Sequence, residues 1–266
     1  MGFEEISKIT NEQEQVNAIY NFFDEDSRLN GSKAARVEFL TTVRVIEDYL
    51  RPNSRILDIG AGAGEYSLYF AEKGFEVSAI ELADANIAAF KRKIKPEHRI
   101  QLRQGNALDL SCYDDKAFDI VLLFGPLYHL HSVEDRAKAI AEAKRVCADD
   151  GKIFFAFITN DMVILTELMW NNRYFVEGDY DKASFRLHDF PFVFATVDRA
   201  VEMLSENGVK ILRKVAADGV SELLQDKINA MDEENYAQYL RYHYYICEKE
   251  EFLGMTNHLL ILGQKE

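Results

Sequence analysis

The sequence predicts an α/β fold, with a doubly wound, mostly parallel sheet and a helical cap. Three observations lead to this prediction. Short apolar segments alternate with helical patterns from residue 54 to residue 158, which is typical of parallel βαβ units. The first strand runs straight into the glycine-rich turn Gly60–Gly64, and a helix pattern follows at once. The alternation stops after Asn160, where an insertion rich in methionine and aromatic residues begins.

The strands are predicted over 54–59, 75–80, 99–103, 118–124, 152–158, 209–216 and 258–263. Helices are predicted over 12–24, 33–50, 65–73, 83–95, 133–148 and 196–207, with two more within 221–247. Pro52, Gly74 and Pro96 end three of these helices, because proline cannot continue a helix and glycine caps it well. The predicted organisation is an N-terminal helix or lid (1–32), a cofactor-binding core (33–160), two cap insertions (161–195 and 219–254), and the remaining core helix and strands (196–218 and 255–266).

Composition places the chain among ordinary globular proteins. Its 266 residues are 48% apolar and 29% charged, enough for one α/β domain with embellishments. No apolar run reaches the roughly 18 residues of a membrane span, and the first 20 residues lack the pattern of a secretory signal. The three cysteines are widely spaced, so we expect a reducing cytoplasmic location, no metal site and no disulfide framework.

The net charge of −14 argues against a broad nucleic-acid interface, because phosphate binding requires clustered Lys and Arg. The one basic cluster, Lys91–Lys95, lies where a helix should end. Cations at that end complement the helix dipole, so a solvated helix end explains the cluster. DNA is therefore excluded as a partner and RNA is disfavoured. The expected partner is a small molecule, and the protein is expected to be a monomer or a homodimer.

The turn after the first strand predicts a nucleotide site. Glycines allow the backbone to approach a ligand, and the following helix N-terminus presents N–H groups to it. Glu81 ends the next strand, about 20 residues on, where an acid would hold ribose hydroxyls. A helix-capping role is the alternative for Glu81. The spacing G-x-G-x-G differs from the G-x-G-x-x-G of most dinucleotide enzymes, although a nicotinamide oxidoreductase stays an alternative.

These features resemble the class I S-adenosylmethionine-dependent methyltransferases. The resemblance covers about residues 35–160, and the last strand loosely. It is carried by 56–64, 77–82, 104–110, 118–124, 142–146 and 151–153. It implies a seven-stranded Rossmann-like sheet with an antiparallel last strand, S-adenosyl-L-methionine as the cofactor, and methyl transfer as the activity. It also implies these cofactor-binding residues: Asp58, Gly60, Ala61, Gly62, Gly64, Glu81, Leu82, Asn106, Ala107, Leu108, Phe124 and Gly125.

One departure from the family concerns the loop around the adenine. The chain has Asn106 where the family often has an acid that binds the adenine amino group. The carbonyl oxygen of Asn106 can accept that hydrogen bond, and Asp109 could replace it if the loop is shifted. The segments 124–130 and 257–265 resemble a bacterial branch of methyltransferases whose substrate is unassigned.

The loop from Gly125 to His131 follows the fourth strand, at the sheet edge where ligands bind in open α/β folds. His129 and His131 are the candidate general bases, because imidazole titrates near neutrality. The alternatives are catalysis by proximity alone and structural histidines, and His131 could simply lead into the next helix. The loop lacks the Asn-Pro-Pro-aromatic motif of relatives that methylate planar amines, which disfavours DNA and glutamine as acceptors.

A small-molecule acceptor is expected between the loop and three flanking pieces: the N-terminal helix, the insertion 162–192 and the helix 236–245. The candidate acceptor-binding residues are Tyr20, Tyr128, Trp170 and Tyr174. Aromatic residues at helical spacing are more often core, so most tyrosines of 236–245 are expected to pack. Arg28 could meet the cofactor carboxylate or form a surface salt bridge. An RNA methyltransferase and a non-catalytic S-adenosylmethionine sensor stay open as alternatives, as does the identity of the acceptor atom.

Overall fold

A computed structural model describes residues 3–9, 12–20, 26 and 28–266, without the side chains of 3, 4, 12, 13 and 20. Ten strands occur in this part of the chain. They are β1 (Arg55–Ile59), β2 (Glu76–Glu81), β3 (Ile100–Gln104), β4 (Phe118–Leu123), β5 (Cys147–Thr159), β6 (Tyr180–Asp181), β7 (Arg186–Leu187), β8 (Phe194–Ala195), β9 (Val209–Ala216) and β10 (His258–Lys265).

The strands form a central sheet with the order β3-β2-β1-β4-β5-β10-β9. The first five of these strands are mutually parallel, whereas β10 runs antiparallel to both β5 and β9. The predicted seven-stranded, mostly parallel sheet with an antiparallel last strand is confirmed. Within the described residues the short strand β8 adds an eighth member beside β5, while β6 and β7 form a separate hairpin.

The described helices are α1 (Phe3–Ile6), α2 (Glu12–Tyr20), α3 (Lys33–Glu47), α4 (Glu65–Glu72), α5 (Asp84–Lys93), α6 (Pro126–His129), α7 (Val133–Val146), α8 (Asn160–Thr166), α9 (Tyr174–Glu177), α10 (Val197–Glu206), α11 (Gln225–Asn229) and α12 (Glu233–Ile246). Single 3₁₀ turns cover Glu167–Met169 and Glu250–Phe252. Side-chain oxygens of Ser32, Ser132 and Asp232 accept hydrogen bonds from the first turns of α3, α7 and α12, which satisfies N–H groups that a helix leaves unpaired. Among these helices, none has the length and apolarity needed to cross a membrane.

Two apolar layers cover the two faces of the sheet. Along β1, Leu57 and Ile59 belong to one layer and Ile56 to the other, and all three are fully buried. On β4, Val121 and Ile120 divide in the same way. Burial on both faces explains why these strands read as continuous apolar runs.

Two elements differ clearly from the predictions, whereas the other predicted bounds agree to within three residues where the structure describes them. Strand β5 begins at Cys147 rather than at residue 152, because Cys147 bridges to Phe118 before the register shifts. Gly151 follows the shift, where an added Cβ would lie 2.9 Å from the backbone oxygen of Asp119. The loop predicted after β4 contains the short helix α6.

The register of β10 determines where the polar residues before it lie. His258, its first residue, pairs with Ile158 near the end of β5. An antiparallel strand begins at the edge where its parallel neighbours end. His258 and the residues before it are therefore delivered to the carboxyl edge of the sheet, next to the loop that follows β4.

Candidate active site

The turn after β1 brings two backbone segments very close together. Gly60 and Gly64 have φ angles of 76° and 88°. Residues that carry a Cβ rarely adopt such positive φ angles. A Cβ on Gly60 would lie 2.7 Å from the backbone oxygen of Phe124, and a Cβ on Gly64 would overlap the ring of Phe90. Glycine is therefore required here by both conformation and space.

Glu81 lies at the end of β2 and is 5% exposed. One carboxylate oxygen accepts the N–H of Gly62 at 2.8 Å, and the other accepts the N–H of Ala83 at 2.8 Å. Burial raises the pKa of Glu81, and these backbone donors act in the opposite direction. The side-chain amide of Asn86 donates to the same carboxylate at 3.4 Å, so Glu81 holds the glycine turn and the start of α5 together.

Asp58 supports the turn from behind. It is 1% exposed, and its carboxylate accepts a hydrogen bond from the Ser67 hydroxyl on α4 at 2.7 Å. Burial raises the pKa of Asp58 to about 7. Its described contact ties β1 to α4, which is a positioning role within the turn.

The loop after β3 contains the predicted adenine contact. The Asn106 side-chain oxygen accepts the N–H of Leu108 at 2.9 Å, a local turn that orients the amide. Asp109 is exposed, and its side chain accepts the N–H of Ser111 at 3.0 Å. Asp109 therefore caps a local turn here, and Asn106 stays the predicted adenine contact.

A small cavity of about 60 Å³ lies between the glycine turn, the end of β2 and α6. Six of the residues predicted to bind the cofactor line it: Gly60, Glu81, Leu82, Asn106, Ala107 and Gly125. Five lining residues were not predicted to bind the cofactor: Val16, Gly105, Pro126, His129 and Leu130. The cavity is smaller than a nucleoside, and Val16 of α2 forms part of its wall.

The other six predicted cofactor residues are not part of the lining that the described residues form. They are Asp58, Ala61, Gly62, Gly64, Leu108 and Phe124. Ala61 donates its backbone N–H to the Ile80 oxygen at 3.1 Å, and Phe124 packs edge-on against Tyr66 at 5.1 Å. These residues fix the shape of the turn.

A large cavity of about 780 Å³ lies on the other side of α6. Its lining includes three predicted acceptor residues, Tyr128, Trp170 and Tyr174. Tyr20 belongs to α2, but its side chain is outside the described residues. Helix α12 is absent from the described lining, and its Tyr236 packs instead near Ala34 and Val37 on α3. The insertion 162–192 thus supplies much of the described wall, together with α3 and the start of β10. Among the tyrosines of α12, Tyr236 is buried, whereas Tyr242 and Tyr245 are exposed.

The two candidate bases occupy different surroundings. The ring of His129 faces the small cavity and lies 5.3 Å from the ring of Phe192. Burial lowers the pKa of His129 to about 4. His131 stacks on Phe190 at 6.0 Å, and burial lowers its pKa too. Both imidazoles are held neutral at pH 7, so each can accept a proton but is a weak base.

A polar cluster at the end of the large cavity was missed by sequence reasoning. His258 Nδ1 lies 2.8 Å from Asp218 Oδ2 and 3.3 Å from Glu38 Oε2. Arg28 pairs with Glu38 at 2.7 Å. Burial lowers the pKa of His258, but the carboxylates of Glu38 and Asp218 outweigh it and raise the pKa to about 9. The signal available in the sequence was the polar start of the last strand.

The ligand atoms of Glu38, Asp218 and His258 lie within 4.8 Å of one another. This separation would permit a metal ion. The hydrogen bond of His258 Nδ1 to Asp218 and the ion pair of Arg28 with Glu38 instead give a network of matched charges. The described contact of Arg28 is its salt bridge with Glu38. A contact of Arg28 with the cofactor carboxylate stays a prediction.

Comparison with known proteins agrees with this geometry. Residues 57–155, from β1 to β5, match the family model described as a methyltransferase domain. Within that segment the chain is similar to the S-adenosylmethionine-dependent methyltransferases, the family that its sequence resembles. S-adenosylmethionine is the cofactor of that family, and the residues around the small cavity fit it. The glycine turn leaves no room for side chains, and the acidic Glu81 lines the cavity beside it.

The relatives of the methyltransferase domain are spread over several activities. The chain is 26% identical over 131 residues to a glycine/sarcosine N-methyltransferase of Aphanothece halophytica, covering 48% of this chain and 49% of that protein. It is 34% identical over 106 residues to a demethylmenaquinone methyltransferase of Renibacterium salmoninarum, covering 40% and 41%. The chain spans about half the length of the curated relatives it matches. These relatives are all methyltransferases by name but differ in their acceptors, so they do not indicate the acceptor of this chain.

A solved structure extends the fold comparison to nearly the whole chain. The PH0226 protein of Pyrococcus horikoshii OT3 superimposes with a TM-score of 0.61 at 19% identity, over 94% of this chain and 99% of that one. At this identity the likeness concerns the fold, including the elements around the large cavity.

Proposed function

We propose that this protein transfers a methyl group from S-adenosylmethionine to a small-molecule acceptor held in the large cavity. The observation that carries the proposal is the position of α6. Its neighbouring residues Tyr128 and His129 line the large and the small cavity respectively. The two cavities are therefore neighbours at α6, and a direct transfer would take place where they open onto each other.

The cofactor supplies an activated methyl group. The work left to the chain is to bind, to orient and to exclude water. Backbone groups of the turn Gly60–Gly64 and the carboxylate of Glu81 would hold the donor, and the amide of Asn106 would contact its base. The aromatic walls of the large cavity would orient the acceptor and keep water from it.

Proton removal is required only if the acceptor atom carries a proton. His129 is the candidate closest to the donor, and His131 the second. The low pKa of His129 favours a modest contribution, so we propose that orientation supplies most of the rate. The remaining domain boundaries, with 161–195 and 219–254 as cap segments, belong to the same proposal.

The large cavity favours an enzyme over a sensor, because a sensor needs no space for a second molecule beside the donor. RNA is disfavoured by the acidic lining of that cavity, which includes Glu38, Asp179 and Glu222. A nicotinamide oxidoreductase is the remaining alternative, and it makes an opposite prediction about cofactor binding.

Calorimetric titration tests the proposal directly. S-adenosylhomocysteine should bind and NAD should not. Replacing Glu81 by Ala should weaken S-adenosylhomocysteine binding by about 1–3 kcal/mol, the scale of lost charge-assisted hydrogen bonds. Because Glu81 also holds the glycine turn, Glu81→Gln is the companion variant: it keeps one acceptor oxygen and should lose less. NAD binding without any response to S-adenosylhomocysteine would overturn the proposal.

A further inference from the structure

The charged groups of the large cavity do not cancel. Its described lining contains three basic side chains, Arg28, His188 and His258. Each lies beside an acidic side chain of the same lining: Arg28 beside Glu38, His188 beside Asp179 and His258 beside Asp218. These three pairs leave no positive charge to balance a further carboxylate.

Two further carboxylates of the lining have no such match. In the described part of the chain, no Lys, Arg or His lies within salt-bridge distance of Glu222 or Glu167. Glu222 is only partly exposed. Burial and the negative charge of Asp218 raise its pKa, and the charge of His258 and the hydrogen bond from Asn257 only partly offset that rise. A partly buried carboxylate without an ion-pair partner of its own is costly, and a bound cation would relieve that cost.

Hydrogen-bonding capacity points the same way. Asn257 is 3% exposed and lines the cavity beside Glu222. Its amide nitrogen donates to the Glu222 carboxylate, whereas its Oδ1 atom has no donor among the described residues. A buried amide oxygen is rarely left unpaired. The Glu222 end of the cavity therefore has acceptors in excess.

The walls next to these acceptors are aromatic. Tyr128, Tyr174 and Phe194 line the cavity, and Trp170 stands at its edge with 74% of its surface exposed. Aromatic faces attract cations and also bind apolar carbon. An ammonium group is a donor-only cation, so it suits the acceptors and the rings together, and an anionic or neutral polar group does not.

We propose that the large cavity selects a ligand with a positively charged nitrogen group on an apolar body, with the nitrogen facing Glu222 and Asn257. This inference rests on the proposed function, because it takes the ligand to be the methyl acceptor. It names the recognition group and leaves the methylated atom open.

Three matched probes test the inference: 2-phenylethylamine, which is a cation at pH 7.5, neutral 2-phenylethanol, and anionic 3-phenylpropionate. Trp170 is the only tryptophan of the chain, so its fluorescence reports on the cavity, with calorimetry in parallel. The amine should bind at least about tenfold more tightly than the alcohol, and the acid most weakly, the scale of one hydrogen bond to a charged group. Equal binding of amine and alcohol, preference for the acid, or no binding of the amine up to about 10 mM overturns the inference.

Two variants separate the charge from the fold. Glu222→Gln keeps the shape and should reduce the amine affinity about tenfold while leaving the alcohol affinity unchanged. Glu97→Gln removes the same charge from an exposed position outside the described lining and should leave all three affinities unchanged. An equal loss in both variants would assign the effect to net charge and overturn the inference.

S-adenosylhomocysteine is titrated into the same variants, because its methionine end also carries an ammonium group. The Glu222→Gln variant should bind it as tightly as the natural chain. A tenfold loss there, with amine binding unchanged, would assign Glu222 to the donor and overturn the inference. Amine selectivity without any S-adenosylhomocysteine binding would instead support the selectivity and overturn the proposed function.

Discussion

The two cavities beside α6 differ in the residues that form their walls. The small cavity is bounded mainly by backbone, in turns that follow consecutive strands, and one buried carboxylate, Glu81, holds them. The large cavity is bounded by side chains from α3, the insertion after β5 and the start of β10, which are far apart in sequence. A donor site can therefore be common to a family, because it depends on backbone geometry. An acceptor site can differ from member to member, because it depends on side chains.

The largest expected effect is a loss of stability when the glycine turn beside the small cavity is changed. Gly64→Ala should lower the free energy of unfolding by about 2–5 kcal/mol, since it combines left-handed strain with overlap on the Phe90 ring. Gly74→Ala is the matched control: its φ is 89°, but nothing lies within 4 Å of an added Cβ, so it should lose only about 1–2 kcal/mol. Urea denaturation measures both. Equal losses would mean that the close packing of the turn contributes nothing.

The second prediction tests the side-chain network of the large cavity. The folded-state pKa of His258 is raised to about 9 from 6.5. The stability it contributes is therefore fully present below pH 6.5 and is lost as the pH rises through 9. The expected size is about 3 kcal/mol. The loss of unfolding free energy between pH 6 and pH 10 should be smaller in His258→Gln than in the natural chain by about that amount. An identical pH dependence in both proteins would show that the ion pair with Asp218 does not stabilise the fold.

Asp58 gives the corresponding pH test on the donor side, with a smaller effect. Its pKa is raised by burial from 3.8 to about 7, so the stability it contributes below pH 3.8 is lost as the pH rises through 7. Asp58→Asn cannot ionise, and its stability relative to the natural chain should rise by about 2 kcal/mol between pH 5.5 and pH 8.5. Thermal denaturation at the two pH values measures this, and a constant difference would contradict the burial of a titrating carboxyl.

The smallest effect concerns α12, which the sequence allowed as a wall of the acceptor site. The Tyr236 hydroxyl donates to the backbone oxygen of Lys33 at 2.7 Å. Tyr236→Phe should cost about 1 kcal/mol of stability, the worth of one hydrogen bond, without changing the binding of amine probes. A changed affinity for the probes at unchanged stability would indicate that α12 does form part of the cavity wall.

The sequence predicted many of the residues around the proposed donor site, but not which of them face the cavity. Six of twelve predicted cofactor residues line the small cavity, and the others support its turns. The glycine motif marks the turn, but the sequence does not tell which atoms of that turn face the ligand. That depends on the pleat of β1 and on the direction of each side chain, as Asp58 shows by bonding Ser67 behind the turn.

The sequence by itself determined the fold class, the alternation of strands and helices in the first half, and the glycine turn after the first strand. These follow from short-range patterns: apolar runs, glycines at a strand end, and an acid at the end of the next strand. Only the tertiary structure decided that His258, Asp218 and Glu38 meet at one end of a cavity, that Glu222 and Asn257 lie beside them, and that α12 packs behind α3. The physical reason is that these contacts join residues up to about 220 positions apart through the antiparallel register of β10. No local pattern encodes that register, because it is fixed by the packing of the whole sheet.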